Sequence, residues 1–585
     1  MRRFLALLFG LPGRLRARLH SLLADLTPLE RAVLLGIAVV HVVGIGWGLP
    51  ASDGWDVDGV SPRDFLPGVL KTFTPGDYFT YPPLHLLLLT VLTLPVTLAA
   101  LARAPSLSQH EVVQAFLAVP VMTTFAYVAR VIALFMSLGI VLAIGSMAAV
   151  IFGRRARPWA MAVAGVEAAG TYYAHTSNLD IPALFWASLA LLTLVLALET
   201  DEPRKLRRVA VFAACAIATK DQAYAIFALS LPTVLVLWAV ARYRAGTLRE
   251  LVRETLYLAV LGLGLVLLLD GALFNPTGFL ARLRFLTGPA SQDFAQYSRD
   301  WPGRYAALSD AVTFLPNHYP VVLAPVFGLG ALLGIARTRG RARIAALVPL
   351  LAIVSFTVTF NCVARRVEER FMLPQMQLLA IYGGGAIGML LDSAKRRPAL
   401  TWLVRLGAAA CILGGLRLSV IVIANMMGDA RYDAEAYLEA HASPGDVVEV
   451  YGGNVYLPRF PSKVHVQRIS PLPTDSRNPM PDIEEKQDDL SAIGERRPRW
   501  VLVSTGYAWR FLRESEQQSG GRLIPESQKM SLHDLDATSH IRTLFASQNG
   551  YHAVSVSRYE GHGKLLPRRP LHASLACDIW IFERQ

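Results

Sequence analysis

Charge is scarce in this sequence. Of 585 residues only 17% are charged, while 53% are hydrophobic, against roughly 25% charged in an ordinary soluble protein. With a mean hydropathy of +0.39, the composition places the chain in a bilayer and excludes a disordered segment, a collagen and a coiled coil. Cysteine is also scarce. Cys215, Cys362 and Cys411 lie in or beside apolar segments and Cys577 stands alone near the end, so the four give neither a disulfide framework nor a metal-ligand spacing. Internal repeats and low-complexity tracts are missing. What the chain has in surplus is positive charge, +13 net. Recognition of nucleic acid would need a basic stripe on a folded surface, whereas these charges form short clusters between apolar runs, as in cytoplasmic membrane loops. The bilayer is the expected partner and nucleic acid is not. The length exceeds one soluble core, so at least two structural units are expected.

Arg2 and Arg3 precede an apolar run over residues 4–11, but Arg14, Arg16 and Arg18 follow where a signal peptide would carry small residues. Residues 1–29 therefore read as a retained basic cytoplasmic leader, an amphipathic helix on the membrane surface. A first crossing is expected over about residues 32–49, long enough for roughly 30 Å of hydrocarbon. Five basic clusters follow: Arg154/Arg155/Arg157, Arg204/Lys205/Arg207/Arg208, Arg242/Arg244/Arg249, Arg337/Arg339/Arg341/Arg343 and Lys395/Arg396/Arg397. If each is cytoplasmic, the intervening segments pair as hairpins whose external turns hold residues 178–180, 220–222, 275–319 and 361–374. The apolar stretch 84–101 does not fit this alternation. Either it lies along the outer face, giving eleven spans, which is the reading preferred, or residues 112–129 cross back, giving thirteen. Both leave Arg130 at the external end of the next span.

From about residue 428 the composition becomes that of a soluble protein. Short β-rich runs occur at 446–451, 463–468, 500–504, 552–557 and 578–582, with helical stretches near 432–441 and 482–494 and a Pro-rich connection at 471–481. The expected architecture is an α-helical polytopic membrane protein of about 11 to 13 transmembrane helices with a small C-terminal extracytoplasmic α/β domain. Its parts are the leader 1–29, a transmembrane catalytic domain 30–427 with an external loop at 50–83, and the α/β domain 428–585. The Arg-, Ala- and Leu-rich style points to a bacterial inner membrane, with the N-terminus cytoplasmic and the last domain periplasmic.

The loop after the first span carries the densest chemistry: Ser52-Asp53-Gly54-Trp55-Asp56-Val57-Asp58-Gly59, then Arg63-Asp64, Gly76-Asp77-Tyr78 and Tyr81-Pro82-Pro83-Leu84-His85. Close carboxylates just outside a membrane can act as a general base or hold a divalent cation, and a plain solvated acidic loop is the bland alternative. Carboxylates directly after a first span, followed by a helix and a Tyr-Pro-Pro-Leu-His segment, resemble the GT-C glycosyltransferases, specifically the protein O-mannosyltransferase and aminoarabinose-transferase branch, glycosyltransferase family 39. The family's acidic motif falls on Asp56-Val57-Asp58, with Gly59 where many relatives carry a Glu. Arg130 resembles a family arginine, and the segment 172–180 resembles the one carrying the second family aspartate, here Asp180. Thr219-Lys220-Asp221-Gln222 resembles the family's Thr-Lys segment, and Arg370-Phe371-Met372-Leu373-Pro374 its Arg-aromatic-X-Leu-Pro motif. The resemblance covers roughly residues 30–435.

It implies an inverting glycosyltransferase that takes a sugar from a polyprenyl-phosphate donor to an acceptor hydroxyl of the cell envelope, whether protein, lipid or polysaccharide, at the external membrane face. Asp58 or Asp56 would be the general base and Asp180 would orient acceptor or sugar. Arg130, Lys220, Asp221, His85, Arg365, Arg366 and Arg370 would bind the lipid phosphate or sugar. No cofactor is required by this scheme, though Asp56 and Asp58 could hold a divalent metal. Each residue also has a structural reading: Arg130 as a helix anchor, Asp180 as a cap, Lys220 as a snorkelling side chain, the three late arginines as partners of Glu368 and Glu369, and His85 as a packing residue. The alternative from another class is a secondary transporter of a sugar or lipid-linked substrate, which the apparently mid-span Glu167 would suit; a duplicated pattern supporting it is not found in the sequence.

Overall fold

The computed structural model describes residues 25–51, 53–57, 59–474, 480–512, 520–525, 535–558, 575 and 577–585. Most of the expected leader, Asp58 and the middle of the Pro-rich connection lie outside the described residues. The first described helix, Pro28–Val42, opens on a capping box: Thr27 N–H donates to Glu30 Oε2 at 2.8 Å, Glu30 N–H donates to Thr27 Oγ1 at 3.3 Å, and Pro28 sits where a missing N–H costs nothing. The helix is shorter than the crossing expected at 32–49, and turns replace it over 43–48.

Among the described residues, seven helices are long and apolar enough to cross a membrane: Leu84–Arg103, Val119–Phe152, Asp180–Thr200, Asp221–Arg244, Leu248–Leu269, Gly340–Ala364 and Pro398–His441, the last running on into the soluble domain's first helix. They become eight if the bent pair Trp301–His318 and Leu323–Arg337 is one span. This differs from the eleven or thirteen expected. Several segments read as crossings are short or broken helices here, such as Arg157–Gly165 followed by Ala168–Tyr173, and Leu206–Ile217. Residues 119–129, part of the separate crossing in the thirteen-span arrangement, share one unbroken 34-residue helix with Arg130. Leu84–Arg103, expected to lie along the outer face, is a single 20-residue helix that carries Pro95 inside it and is long enough to span.

The basic clusters gather at one end of this bundle. Asp201 takes Arg242 at 3.1 Å and Arg341 at 2.8 Å, Glu250 takes Arg204 at 3.8 Å, Glu30 takes Arg157 at 3.8 Å, and Arg155 pairs with Asp392 beside the last cluster. Small residues set the packing between helices. A Cβ on Gly384 would sit 2.3 Å from the Ala160 backbone nitrogen and one on Gly330 2.0 Å from the Tyr382 carbonyl, so the Glu369–Ala394 helix touches two neighbours backbone to backbone.

The C-terminal domain is a six-stranded sheet of β1 Val447–Val450, β2 His465–Ser470, β3 Ile483–Gln487, β4 Trp500–Ser504, β5 Tyr551–Ser557 and β6 Ile579–Arg584, in the order β3-β2-β1-β4-β6-β5. The first four are parallel, and β6 and β5 add antiparallel neighbours. Alternation decides the two faces. Val448, Val450, Leu502 and Ile581 pack with Ala434 and Leu438 of helix Ala430–His441, whereas Val501, Val503 and Phe582 pack with Ala508, Ile541 and Leu544 of helices Thr505–Leu512 and Leu535–Phe545. The helix expected near 482–494 is corrected: residues 483–487 form edge strand β3, and helix appears only from Leu490. Its sequence, Ile-Glu-Glu-Lys-Gln, is the charged pattern that suits an exposed edge.

Candidate functional site

The acidic loop is held between the membrane helices and the soluble domain by aromatic and charged contacts. Trp47 and Trp55 meet edge to face at 6.1 Å, and the Arg431 guanidinium lies over Trp55 at 4.3 Å. Asp429 accepts from Trp47 Nε1 at 3.0 Å and pairs with Arg431 at 2.6 Å, while Arg431 Nη1 reaches the Val455 carbonyl at 2.5 Å. The interface is therefore built on desolvated rings and a satisfied ion pair rather than on loose surface charge.

This arrangement encloses a cavity of about 280 Å³ lined by Asp53, Asp56 and Asp64 of the loop, Arg130, Thr176 and Ser177 of the membrane helices and their turn, and Gly453, Asn454 and Val455 of the soluble domain. Asp56 is buried, and its Oδ1 accepts from the Tyr172 hydroxyl at 2.9 Å. Arg130, also buried, donates from Nη1 to the Ile45 and Trp47 carbonyls at 2.7 and 2.8 Å, which fixes its guanidinium beside the loop. Asp53 is a knot rather than a free acid. It accepts from Gly54 N–H at 2.8 Å, Ser61 Oγ at 3.1 Å and Asn454 Nδ2 at 2.7 Å, with Arg63 at 3.7 Å. Burial raises the pKa of Asp64, Arg63 lowers it and Asp53 raises it again, the net being upward. A Cβ on Gly59 would lie 3.0 Å from Ser177 Oγ and 3.1 Å from Asp56 Oδ2, so the missing side chain is what lets the loop close on the 176–177 turn.

Asp180, Lys220, Asp221, His85, Arg365, Arg366 and Arg370 do not line this cavity, and five of them form ion pairs. Asp180 and Lys220 are bonded at 2.6 Å with both side chains buried, and Asp180 N–H donates to Asn178 Oδ1 at 2.8 Å. Lys220 thus reaches a carboxylate rather than the membrane surface. Asp221 meets Arg282 at 2.8 Å, and the same guanidinium reaches Asp270 at 3.2 Å. Buried Arg282 keeps Nε and Nη1 without hydrogen-bond partners. Burial pushes the Asp270 pKa up to about 7, partly offset by Arg282, with Asp221 adding to the rise. Asn275 ties this region to the segment at 72–77 by donating to the carbonyls of Thr72, Thr74 and Asp77 and accepting from Gly76 N–H. His85 is buried with Nδ1 unpartnered. Glu368 takes both Arg366 at 3.0 Å and Arg370 at 3.1 Å, while Arg365 donates to the Tyr297 carbonyl at 2.9 Å. Among the described residues, no group of three or more His, Cys, Asp or Glu side chains has the arrangement to hold a metal ion.

Glu167 sits at a break between helices, where its carboxylate accepts from Ala169 and Gly170 N–H, from His318 Nδ1 at 2.5 Å and from Gln377 Nε2 at 3.2 Å. It caps a helix. Sequence reasoning missed Asp270, Arg282, Asn275, Arg431 and Asn454, whose importance comes from long-range pairing that no local spacing signals.

The fold and site define a polytopic α-helical membrane protein with an acidic cavity roofed by a C-terminal α/β domain. Among solved structures the chain is similar to ArnT from Cupriavidus metallidurans bound to undecaprenyl phosphate, at 16% identity over 84% of this chain and 96% of that one, TM-score 0.48. It is also similar to the archaeal oligosaccharyltransferase AglB from Archaeoglobus fulgidus, at 12% identity over 95% and 88%, TM-score 0.44. A third similarity is to the S. cerevisiae protein O-mannosyltransferase Pmt1-Pmt2 complex, at 17% identity over 48% and 39%, TM-score 0.27. No protein-family model and no curated protein matches the sequence.

Proposed function

We propose that the chain is an inverting glycosyltransferase of the GT-C kind, which moves a sugar from a polyprenyl-phosphate donor to an acceptor hydroxyl in the cavity beneath the soluble domain. The observation that carries the reading is the buried Asp56 carboxylate facing that cavity, oriented by Tyr172 and accompanied by Arg130. The acceptor oxygen attacks the anomeric carbon and its proton passes to a carboxylate of the loop. The bond from that carbon to phosphate oxygen breaks with its electron pair leaving on the lipid phosphate, so the anomeric centre inverts. Asp56 or Asp58 takes the proton, a role worth about 10² to 10⁴ in rate. Arg130, Lys220 and Arg282 are the cations placed to stabilise the departing phosphate, with Asp180 and Asp221 holding two of them in position. Arg366 and Arg370 are held by Glu368. A divalent ion on Asp56 and Asp58 would add charge stabilisation at the same place, and no step above is routed through one. The acceptor is a cell-envelope molecule and the membrane a bacterial inner membrane, with the soluble domain on the periplasmic side.

The transporter reading loses its support at Glu167, whose oxygens are engaged in a helix cap. Purified protein in lipid nanodiscs, offered a panel of radiolabelled undecaprenyl-phosphate sugars, tests the proposal. Release of undecaprenyl phosphate that falls at least a hundredfold in Asp56→Asn or Asp58→Asn is the expected result. Folded wild-type protein that releases none from any donor, with variants binding donors equally, would overturn it.

A further inference from the structure

The soluble domain meets the cavity with one particular part of its sheet. Strands β2 and β3 extend from one side of β1 and β4 from the other, so the direction of sheet growth reverses between β1 and β4. Open parallel sheets bind ligands outside the carboxyl ends of the strands at such a reversal. Here the segment leaving β1 is Tyr451-Gly452-Gly453-Asn454-Val455, and its last three residues line the cavity. Beside it the crevice is already filled by Arg431, leaving a hollow of only about 10 Å³.

Two features say what this wall does. Gly453 has φ −78° and ψ 165°, a backbone any residue adopts, and a Cβ built there meets nothing within 4 Å. Gly452 next to it is different, with φ +91° and a Cβ position 2.8 Å from the Tyr507 ring. Space, not strain, is therefore what Gly453 supplies. The second feature is charge: the wall holds the carboxylates of Asp53, Asp56 and Asp64 against Arg130, with Arg63 behind Asp53. A second anionic group, beyond the donor phosphate assigned to Arg130, would find little compensation there.

Resting on the glycosyltransferase reading, we propose that Gly453, Asn454 and Val455 form the acceptor-facing wall of the cavity and admit an uncharged polyhydroxyl acceptor rather than a phosphorylated one. Asn454 is its positioning residue. Its Nδ2 holds Asp53, and its Oδ1 accepts from Arg468, which is anchored on Glu485 of β3. The donor, being lipid-linked, approaches from the membrane helices on the opposite side of Asp56.

The test uses the full chain in nanodiscs, a radiolabelled undecaprenyl-phosphate sugar that the wild type consumes, and methyl β-glucoside as the neutral acceptor probe, with glucose 6-phosphate as its anionic counterpart. Wild type should transfer sugar to methyl β-glucoside and at least tenfold less to the phosphate. Gly453→Trp should cut that transfer at least tenfold while binding undecaprenyl phosphate within twofold of wild type. Gly494→Trp, whose Cβ also meets nothing within 4 Å, controls for the added ring. Equal transfer by Gly453→Trp, equal loss of undecaprenyl phosphate binding, or transfer to the anionic probe alone would each overturn the inference while leaving the glycosyltransferase reading standing. Absence of donor turnover in wild type would remove both.

Discussion

The buried pair of Lys220 and Asp180 offers the sharpest separation of structure from chemistry. The two side chains are 8% and 9% exposed and their charges are 2.6 Å apart. Removing either partner leaves the other charge buried without it, which costs about 3–5 kcal/mol, whereas removing both together is close to neutral. Lys220→Met and Asp180→Asn should each lower thermal stability strongly, and the double variant should recover most of it. Activity should not recover. On the proposed reading the ammonium also stabilises the leaving phosphate, and a hydrogen bond to a charged group is worth about 1.5–3 kcal/mol. The double variant should then release undecaprenyl phosphate about 10- to 150-fold more slowly than wild type. Intrinsic-fluorescence melting of the nanodisc-embedded protein gives the first quantity and radiolabelled donor turnover the second. Wild-type turnover by the double variant would reduce Lys220 to a counter-ion for Asp180. Unchanged melting in both single variants would refute the desolvation argument itself.

Three further outcomes follow from packing and titration. Gly384→Val should abolish a stably folded membrane domain, because its Cβ would meet the Ala160 backbone nitrogen at 2.3 Å, while Gly328→Ala, with nothing within 4 Å, should melt within a degree or two of wild type; melting of the two variants distinguishes them. Asn275→Ala should lower both stability and donor turnover, since three backbone carbonyls and Gly76 N–H lose their partner at once, and increased proteolysis between residues 72 and 77 would report the loosened loop. In the soluble domain, burial and the Arg496 charge lower His540 to about 4 from 6.5. The unfolded state takes up that proton first, so stability is fully present above pH 6.5 and declines as pH falls toward 4, by up to about 3 kcal/mol. Melting of the full chain across this range should show the decline, and His540→Gln should flatten it.

The legible parts of the sequence were those where a local pattern decides the structure. Strands β1, β2, β4, β5 and β6 stand within a few residues of the β-rich runs because period-two alternation against two helical layers leaves little freedom. Edge strand β3 was read as helix because its charged residues satisfy an exposed strand edge as well as a helix surface. The basic clusters predicted one common end of the bundle, and the ion pairs from Asp201 and Glu250 join three of the five, while Arg155 of a fourth pairs with Asp392 beside the fifth. Span number was less legible, because hydropathy does not register breaks such as the Val166-Glu167 interruption. Asp56 and Arg130 were visible as types at a position. The contact that ties the C-terminal domain to the loop was not, since Asn454 reaches Asp53 across 401 residues and nothing in either neighbourhood announces the other.

The electrostatics of the site also constrain how a phosphate could enter it. Two of the three cations named for that role already hold carboxylates: Lys220 on Asp180, Arg282 on Asp221 and Asp270. A lone buried cation would be costly, so the resting protein keeps these two paired. An incoming phosphate adds negative charge beside these carboxylates and must be met by loss of charge from one of them. Asp270 is the group suited to that, because burial has already brought its pKa to about 7. Anion binding nearby raises that pKa further, so the bound state takes up a proton and affinity for undecaprenyl phosphate should rise as pH falls from 8 to 6. Asp270→Asn, permanently uncharged, should bind more tightly at pH 8 and lose most of the pH dependence. If its binding profile instead parallels that of wild type, the slope comes from the phosphate itself and Arg282 does not receive it.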